Sequence, residues 1–168
     1  MAESVIRDAD EADIGDIVAI HEAAVCGERG HAHYSDAEIE GWARPKSAAK
    51  LSEQIAKRRF LVARQGPDSV AYAQLDLQAA VVRSVYVRPE YQRGGIGRKL
   101  LQVMVASARE AGLQRLELDA SLNSVRFYEA EGFRALGEVQ HRLASGVTMP
   151  CMNMALDLAV EGRRARPC

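Results

Sequence analysis

The chain has 168 residues, of which 48% are hydrophobic and 27% charged, a composition typical of a globular protein with one buried core. Its net charge of −1 argues against a nucleic-acid partner, because proteins that bind nucleic acids usually present a basic surface. No apolar run is long enough to span a membrane, and the first residues contain no signal-peptide core.

The N-terminal third of the chain predicts one strand and three helices. Residues 4–7 are predicted as a short strand, and the acidic residues after them would cap the first helix. A polar loop over residues 26–34 separates it from a second helix, which begins with a capping box at Ser35 and ends before Pro45. Residues 47–57 are predicted as a third helix because their apolar positions fall on one side.

The middle of the chain predicts three strands, at residues 59–64, 70–77 and 80–87. They are rich in valine and other apolar residues, and turn-forming residues at 66–69 separate the first two. The short connections favour an antiparallel meander.

A glycine-rich turn follows the last of these strands. Pro89 ends the strand because it lacks an N–H group, and Gly94, Gly95 and Gly97 permit a tight backbone path with positive φ. An amphipathic helix then continues until Gly112. Such a turn directs several free N–H groups and the positive end of the helix dipole at one point, which predicts a phosphate-binding site.

A short helix is predicted over residues 123–131. Gly132 is placed to end it in a left-handed conformation, which would fold Phe133 back onto Phe127 or Tyr128.

The remaining elements complete a single predicted domain, residues 1–160. A strand at 114–119 precedes the short helix, and two strands at 136–143 and 149–158 follow it. The tail at 161–168 has no apolar residue to anchor it, so we expect it to be disordered. The three cysteines are scattered, which favours a reducing cytoplasm over a disulfide framework.

Three kinds of glycine-rich loop compete for the turn. A P-loop is excluded because no Ser or Thr follows Gly97. A dinucleotide-binding fingerprint would find a ribose-binding acid in Asp119, but Leu100 stands where the third glycine belongs. The acyl-CoA loop, Gln/Arg-x-x-Gly-x-Gly/Ala, matches residues 92–97 at every specified position.

Through this loop the sequence resembles the GNAT family of N-acetyltransferases. Residues 85–89 resemble the fourth strand of that family, and residues 120–133 resemble its later Asn…Phe-Tyr-x-x-x-Gly-Phe motif. The resemblance covers roughly residues 4–158. Residues 34–43 are also similar to a bacterial subgroup of small acetyltransferases with unassigned acceptors.

The resemblance implies a mixed α/β fold, with a curved, mostly antiparallel sheet that is splayed between its fourth and fifth strands and has helices on both faces. It also implies acetyl-CoA as co-substrate and no metal. Backbone groups of the fourth strand would stabilise the oxyanion, the turn would bind the diphosphate, and Asn123 would contact the pantetheine arm or cap the helix. The implied cofactor-binding residues are Val85, Tyr86, Val87, Arg93, Gly94, Gly95, Ile96, Gly97, Arg98 and Asn123.

Tyr128 is the catalytic residue that the resemblance implies. It would give a proton to the leaving thiolate or donate a hydrogen bond to it, although a tyrosine merely packed against Phe133 would leave the same sequence. The general base stays open between a water chain and several side chains. These are Asp119, Glu117, His21, Glu22, His31 and His33.

The resemblance implies an amine acceptor, on a small molecule or a peptide, bound near residues 26–45. Tyr34 and Trp42 are candidate acceptor contacts, with a place in the core as the alternative for Trp42. We expect direct attack in a ternary complex because no cysteine is placed to carry an acyl group. Cys26, for example, has no neighbouring residue that would activate it as a nucleophile.

Two other functions and one assembly state are left open. The fourth strand lacks the carboxylate found in many relatives, which would suit a non-catalytic acyl-CoA-binding regulatory module. An acyl group longer than acetyl is another alternative. Many family members pair, so a homodimer is a further expectation of the resemblance.

Overall fold

The computed structural model describes residues 3–28 and 33–158. The strands are β1 (Val5–Asp8), β2 (Arg59–Gln65), β3 (Asp68–Asp76), β4 (Val81–Val87), β5 (Arg115–Ser121), β6 (Arg134–Arg142) and β7 (Thr148–Asp157). The helices are α1 (Ile14–Cys26), α2 (Asp36–Ala43), α3 (Ala48–Lys57), α4 (Ile96–Glu110) and α5 (Val125–Ala130). Short 3-10 turns lie at Glu11–Asp13, Pro89–Tyr91 and Leu122–Ser124. His31 and the predicted tail at 161–168 lie outside the described residues.

The strands form one sheet in the order β1-β2-β3-β4-β5-β7-β6, and neighbours are antiparallel except β4 and β5. Those two parallel strands pair at a single position, Val81 with Glu117. Beyond it, β4 runs on to Val87 and β5 to Ser121 with a gap between them. The predicted mixed α/β fold, with a largely antiparallel sheet splayed between its fourth and fifth strands, is confirmed.

Alternation along the strands sends side chains into two cores on opposite faces of the sheet. In β2, Leu61 and Ala63 pack with residues of α4, whereas Phe60 and Val62 pack with residues of α1 and α3. Helices therefore cover both faces, as predicted. The face shared by α1 and α3 is called the α1 face below.

The hairpin of β6 and β7 packs closely on α2 because Gly41 has no side chain. A Cβ atom on Gly41 would lie 2.9 Å from Cβ and Cγ2 of Val147 and 3.1 Å from Oγ of Ser145. Real Cβ atoms do not approach other atoms so closely, so this contact requires glycine.

Replacing Gly41 with Ala is expected to lower the free energy of unfolding by about 1–3 kcal/mol, because the hairpin must move to admit the methyl group. Chemical denaturation measures the change. Gly15→Ala is a suitable control, since a Cβ on this α1 residue meets nothing within 4 Å. If both variants are as stable as the parent, the hairpin does not pack on α2 as described.

Candidate active site

A cleft of about 840 Å³ opens where β4 and β5 separate. Its walls include residues of α1, α2, α5, the turn before α4 and the β6–β7 hairpin. Gly94 and Tyr34 do not line it. The predicted site residues that do are Trp42, Val85, Tyr86, Val87, Arg93, Gly95, Ile96, Gly97, Arg98, Asn123 and Tyr128.

The open edge of β4 presents main-chain groups to this cleft. The N–H of Arg88 donates to the carbonyl of Val70 on β3, at 2.9 Å. Because successive residues of a strand direct their main-chain groups to opposite edges, Val85 and Val87 direct theirs toward the gap. Gln92 Nε2 donates to the Val87 carbonyl at 3.1 Å and so fixes the turn to this edge. An extended ligand can therefore hydrogen-bond to the main chain here.

The turn before α4 forms a nest of main-chain N–H groups. Arg93 at φ +63° and Gly95 at φ +80° both adopt the left-handed conformation, which is uncommon for arginine. The Lys99 N–H donates to the Gly95 carbonyl at 3.0 Å, which leaves the N–H groups of residues 96–98 without a partner inside the helix. With the helix dipole, these groups form a site suited to phosphate.

Gly97 brings the first turn of α4 close to β4 and α5. A Cβ atom on Gly97 would lie 3.5 Å from Val87 Cγ2 and 3.5 Å from Phe127 Cζ. A methyl group would just touch both side chains, and a larger group would fill the cleft beside the nest.

Two of the predicted cofactor-binding side chains already have protein partners. Arg98 Nε lies 3.1 Å from Glu131 Oε1, and Asn123 Nδ2 donates to Glu28 Oε2 at 2.5 Å. The alternative that Asn123 caps a helix is wrong, because neither the Leu122–Ser124 turn nor α5 has a side-chain cap. Contacts of these residues with a cofactor would use the backbone of Arg98 and the remaining amide capacity of Asn123.

Tyr128 is held on α5 by the predicted helix end. Gly132 has φ +93°, and the Phe133 N–H donates to the Tyr128 carbonyl at 3.0 Å. The rings of Tyr128 and Phe133 pack edge-on with centroids 5.7 Å apart. Burial and the neighbouring Tyr86 raise the pKa of Tyr128 well above its usual range, so its hydroxyl stays protonated. Within the described residues this hydroxyl makes no hydrogen bond, which leaves it free to donate into the cleft.

The sequence pattern described as an acetyltransferase (GNAT) domain matches residues 31–156. This chain belongs to the GNAT acetyltransferase family. YafP, an uncharacterized N-acetyltransferase of Escherichia coli, is 29% identical over 104 residues, which are 62% of this chain and 64% of YafP. The match thus spans less than two-thirds of that relative.

Solved structures with this fold include members of the GNAT family. A GCN5-related N-acetyltransferase of Rhodopseudomonas palustris superposes with a TM-score of 0.86 at 23% identity, covering 94% of this chain and 98% of that one. The yncA protein of Salmonella typhimurium, solved with its cofactor acetyl-CoA, has a TM-score of 0.69 at 23% identity and covers 99% and 100% of the two chains. At such identities the likeness shows the shared fold.

The described residues were also compared with the requirements of a membrane-spanning helix and of a metal site. Across residues 3–28 and 33–158, no helix has the length and apolar character needed to cross a membrane. The same ranges contain no group of three His, Cys, Asp or Glu side chains able to hold a metal ion.

On the α1 face, the GNAT cleft has a wall of hydrogen-bonded rings. Trp42 Nε1 donates to the Tyr86 hydroxyl at 2.8 Å, and His21 Nε2 donates to the Trp42 carbonyl at 2.7 Å. Burial lowers the pKa of His21 and raises that of Tyr86 to about 12, so both are neutral near pH 7. His21 Nδ1 lies 3.4 Å from the Tyr72 hydroxyl. Trp42 thus lines the cleft and also orders its neighbours.

Tyr34 does not line the cleft but packs behind Trp42, which does. Its hydroxyl donates to the Pro150 carbonyl and accepts from the Leu122 N–H, both at 2.8 Å. Its ring packs on Trp42 with centroids 5.8 Å apart. With its hydroxyl satisfied twice by the main chain, Tyr34 joins β7 to the turn before α5 and positions Trp42.

Among the candidate bases, His21 and Asp119 line the cleft, whereas Glu117, Glu22 and His33 do not, and His31 is not described. Asp119 has a partner that sequence reasoning missed. Its Oδ2 lies 3.1 Å from His141 Nδ1, and its Oδ1 accepts from Asn153 Nδ2 at 3.0 Å. Because a carboxylate accepts, Nδ1 of His141 carries the hydrogen, and in a neutral imidazole this leaves the lone pair on Nε2. No short motif marks His141, which lies 22 residues from Asp119 in a plain strand.

One cysteine lies in the cleft, a position that the sequence analysis did not predict. Cys151 on β7 is buried and lines it. Burial raises the pKa of the Cys151 thiol to about 11, so it is protonated near pH 7 and is a weak nucleophile.

Proposed function

We propose that this chain is an acetyl-CoA-dependent N-acetyltransferase that acetylates a primary amine of a small molecule or peptide. The observation that supports this most strongly is one continuous cleft joining the nest before α4 to the open edge of β4. The nest fits a diphosphate, and the strand edge fits an extended arm that contains amides. Coenzyme A combines these two groups, and its acetyl thioester supplies the activated acyl group.

The main chain would bind and polarise the thioester. The N–H groups of residues 93–98 hold the diphosphate, which fixes the register of the pantetheine arm along β4. An N–H group of Val85 or Val87 then donates to the thioester oxygen, where negative charge develops. The side chain of Tyr86 lies on the α1 face with Trp42, where it borders the amine.

Tyr128 would stabilise the leaving thiolate. Its pKa is raised, so complete proton transfer to sulfur is unfavourable until charge has built up on the sulfur. Hydrogen-bond donation that strengthens as the carbon–sulfur bond breaks is therefore the role that suits it. The free hydroxyl needs no rearrangement to do this.

His141 and Asp119 would remove the proton from the amine. Asp119 orients the imidazole through Nδ1, and Nε2 of His141 accepts the proton as nitrogen attacks. The neutral His21 is the other imidazole in the cleft, but its Nε2 is committed to the Trp42 carbonyl. Asp119 on β5 alternates with Leu118 and Ala120 of the α4 core, which places its side chain on the α1 face with Trp42.

Direct attack in a ternary complex is the mechanism these groups favour. Cys151 is a protonated thiol near pH 7, and Cys26 does not line the cleft, so neither is suited to carry the acyl group. A cytoplasmic location and a homodimer stay predictions from the sequence.

Calorimetry with CoA, followed by thiol release from acetyl-CoA with a panel of amines, tests this proposal. We expect saturable binding and amine-dependent release above the rate of hydrolysis. Saturable binding without such release would favour the regulatory module that binds acyl-CoA without catalysis. Absence of binding would contradict both functions.

Gly97→Val is expected to raise the Kd for CoA about ten-fold, because two methyl groups would fill the space between Val87 and Phe127. Isothermal calorimetry measures the change. Gly15→Val makes the same replacement on α1, where a Cβ has open space, and should leave the Kd as it is. An unchanged Kd for Gly97→Val would place the cofactor elsewhere.

A further inference from the structure

Three cations, Lys46, Arg58 and Arg83, line the cleft beside the start of β4. Arg58 and Arg83 both contact Asp76 Oδ2, at 3.1 and 3.2 Å. Lys46 has no ion pair among the described residues, and its Nζ donates to Gln54 Oε1 at 3.4 Å. Burial and the charges of the two arginines lower the pKa of Lys46. The two arginines therefore share one carboxylate, and Lys46 is paired with none among the described residues.

The acidic side chains elsewhere in the lining form no ion pair with these three cations. Glu28 contacts Asn123, Asp119 contacts His141, and Glu131 contacts Arg98. Among the described residues, the ion pairs of these three cations thus involve one carboxylate, Asp76, which leaves an excess of positive charge beside the start of β4.

A β-bulge points Arg83 into this part of the cleft. The pairing of β3 with β4 shifts between Gln74 and Leu75, so Arg83 is the extra residue. Arg83 contacts Asp76 while the next residue, Ser84, contacts Gln74. Asp76 and Gln74 are two positions apart on β3 and share a face, so the bulge places two consecutive side chains of β4 on the α1 face.

Gln74 gives a second, independent sign of a missing ligand. Its side chain is 2% exposed and lines the cleft. Its Oε1 accepts from the Ser84 hydroxyl at 3.3 Å, but Nε2 has no partner. A buried donor without an acceptor costs about 1–3 kcal/mol, and a ligand oxygen would remove that cost.

The positive cluster formed by Lys46, Arg58 and Arg83 is separate from the nest before α4 that fits a diphosphate. Arg83 and Val87 are four residues apart in one strand, which is roughly 13 Å, and the nest lies beyond Val87. The cluster is also on the α1 face, on the opposite side of the sheet from the core formed with α4. One diphosphate cannot occupy both places.

We propose that the acceptor is a primary amine that also carries a carboxylate or phosphate group. Lys46, Arg58 and Arg83 bind that anion, with the amide of Gln74 as an uncharged donor. The amine then extends toward the open edge of β4. This inference rests on the proposed acetyltransferase function and adds the chemical class of the acceptor.

The test compares two matched pairs of amines in the thiol-release assay. One pair is 4-aminobutanoate and 4-aminobutanamide, and the other is 3-aminopropyl phosphate and 3-aminopropanol. Each anionic amine is expected to exceed its neutral partner in kcat/KM by roughly ten-fold or more, since charge-assisted hydrogen bonds hold it. The pair with the larger ratio identifies carboxylate or phosphate as the preferred anion. Equal values, or faster reaction of the neutral amines, would overturn the inference and leave the acetyltransferase function in place.

Substitutions in the positive cluster test whether its side chains cause the preference for anionic amines. Lys46→Gln and Arg83→Gln should each lower kcat/KM for the anionic amines roughly ten-fold and leave the neutral amines unaffected. Lys57→Gln is the matched control, because Lys57 pairs with Glu53 on α3 and does not line the cleft. An equal loss for anionic and neutral amines would assign these residues a structural role and overturn the inference.

Calorimetry separates this inference from the proposed function. Protein saturated with CoA is titrated with 3-aminopropyl phosphate and 4-aminobutanoate. Binding that Lys46→Gln weakens, without any acetyl transfer, would support the anion site while contradicting the acetyltransferase function. Absence of binding and of transfer for both anionic amines would overturn the inference.

Discussion

Tyr128→Phe is expected to lower kcat about 100-fold while the Kd for CoA and the thermal stability stay close to those of the parent. The Tyr128 hydroxyl has no hydrogen-bond partner in the described residues, so its loss breaks no contact within the protein. The ring keeps its packing against Phe127 and Phe133. Only stabilisation of the leaving thiolate should be lost. Steady-state kinetics measures kcat, calorimetry measures the Kd for CoA, and thermal denaturation measures the stability.

Tyr91→Phe is a matched control for this variant. It also removes one phenolic hydroxyl, but that hydroxyl contacts Asp68 at 3.5 Å on β3. Its kcat should stay near that of the parent. If Tyr128→Phe also turns over normally, Tyr128 serves only to pack α5 against its surroundings.

His141→Gln should lower kcat/KM about 100-fold near pH 7, since the amine then has no positioned group to accept its proton. The loss should shrink as the pH rises, because a lysine-like amine with a pKa of roughly 10.4 becomes deprotonated in solution. Asp119→Asn should show a smaller loss of the same kind, since it leaves His141 in place without its orienting carboxylate. A pH profile of kcat/KM distinguishes this role from a structural one, which would give a loss independent of pH.

His33→Gln is the control, because His33 does not line the cleft. It should follow the pH profile of the parent. A normal profile for His141→Gln would remove the pair from the mechanism and leave His21 as the remaining imidazole in the cleft.

Features encoded by neighbouring residues were predicted correctly. The strand, Pro89, the glycines and the start of α4 follow one another within one segment, so their local backbone preferences were enough to indicate the turn. The same holds for the capping box of Ser35 and Glu38, which the structure contains. The Gly132 helix end is also local, since its contact joins Phe133 to Tyr128.

Contacts between residues distant in the sequence were not predicted. No local pattern indicated that His141 would contact Asp119, or that Cys151 would line the cleft. The hydrogen bonds by which the Tyr34 hydroxyl joins Pro150 to Leu122 were not predicted either, and its contact with an acceptor stays a prediction. Each contact depends on how the β6–β7 hairpin folds over the sheet.

The sequence by itself determined the family, the glycine-rich turn before α4 and the position of Tyr128 on α5, because each depends on a short run of residues with strong backbone preferences. The tertiary structure alone decided which side chains share the cleft. The β4 bulge turned Arg83 toward Lys46 and Arg58, and the hairpin brought His141 to Asp119. Strand register and the separation of β4 from β5 result from pairing across the whole chain, so no local pattern could reveal which side chains line the α1 face of the cleft.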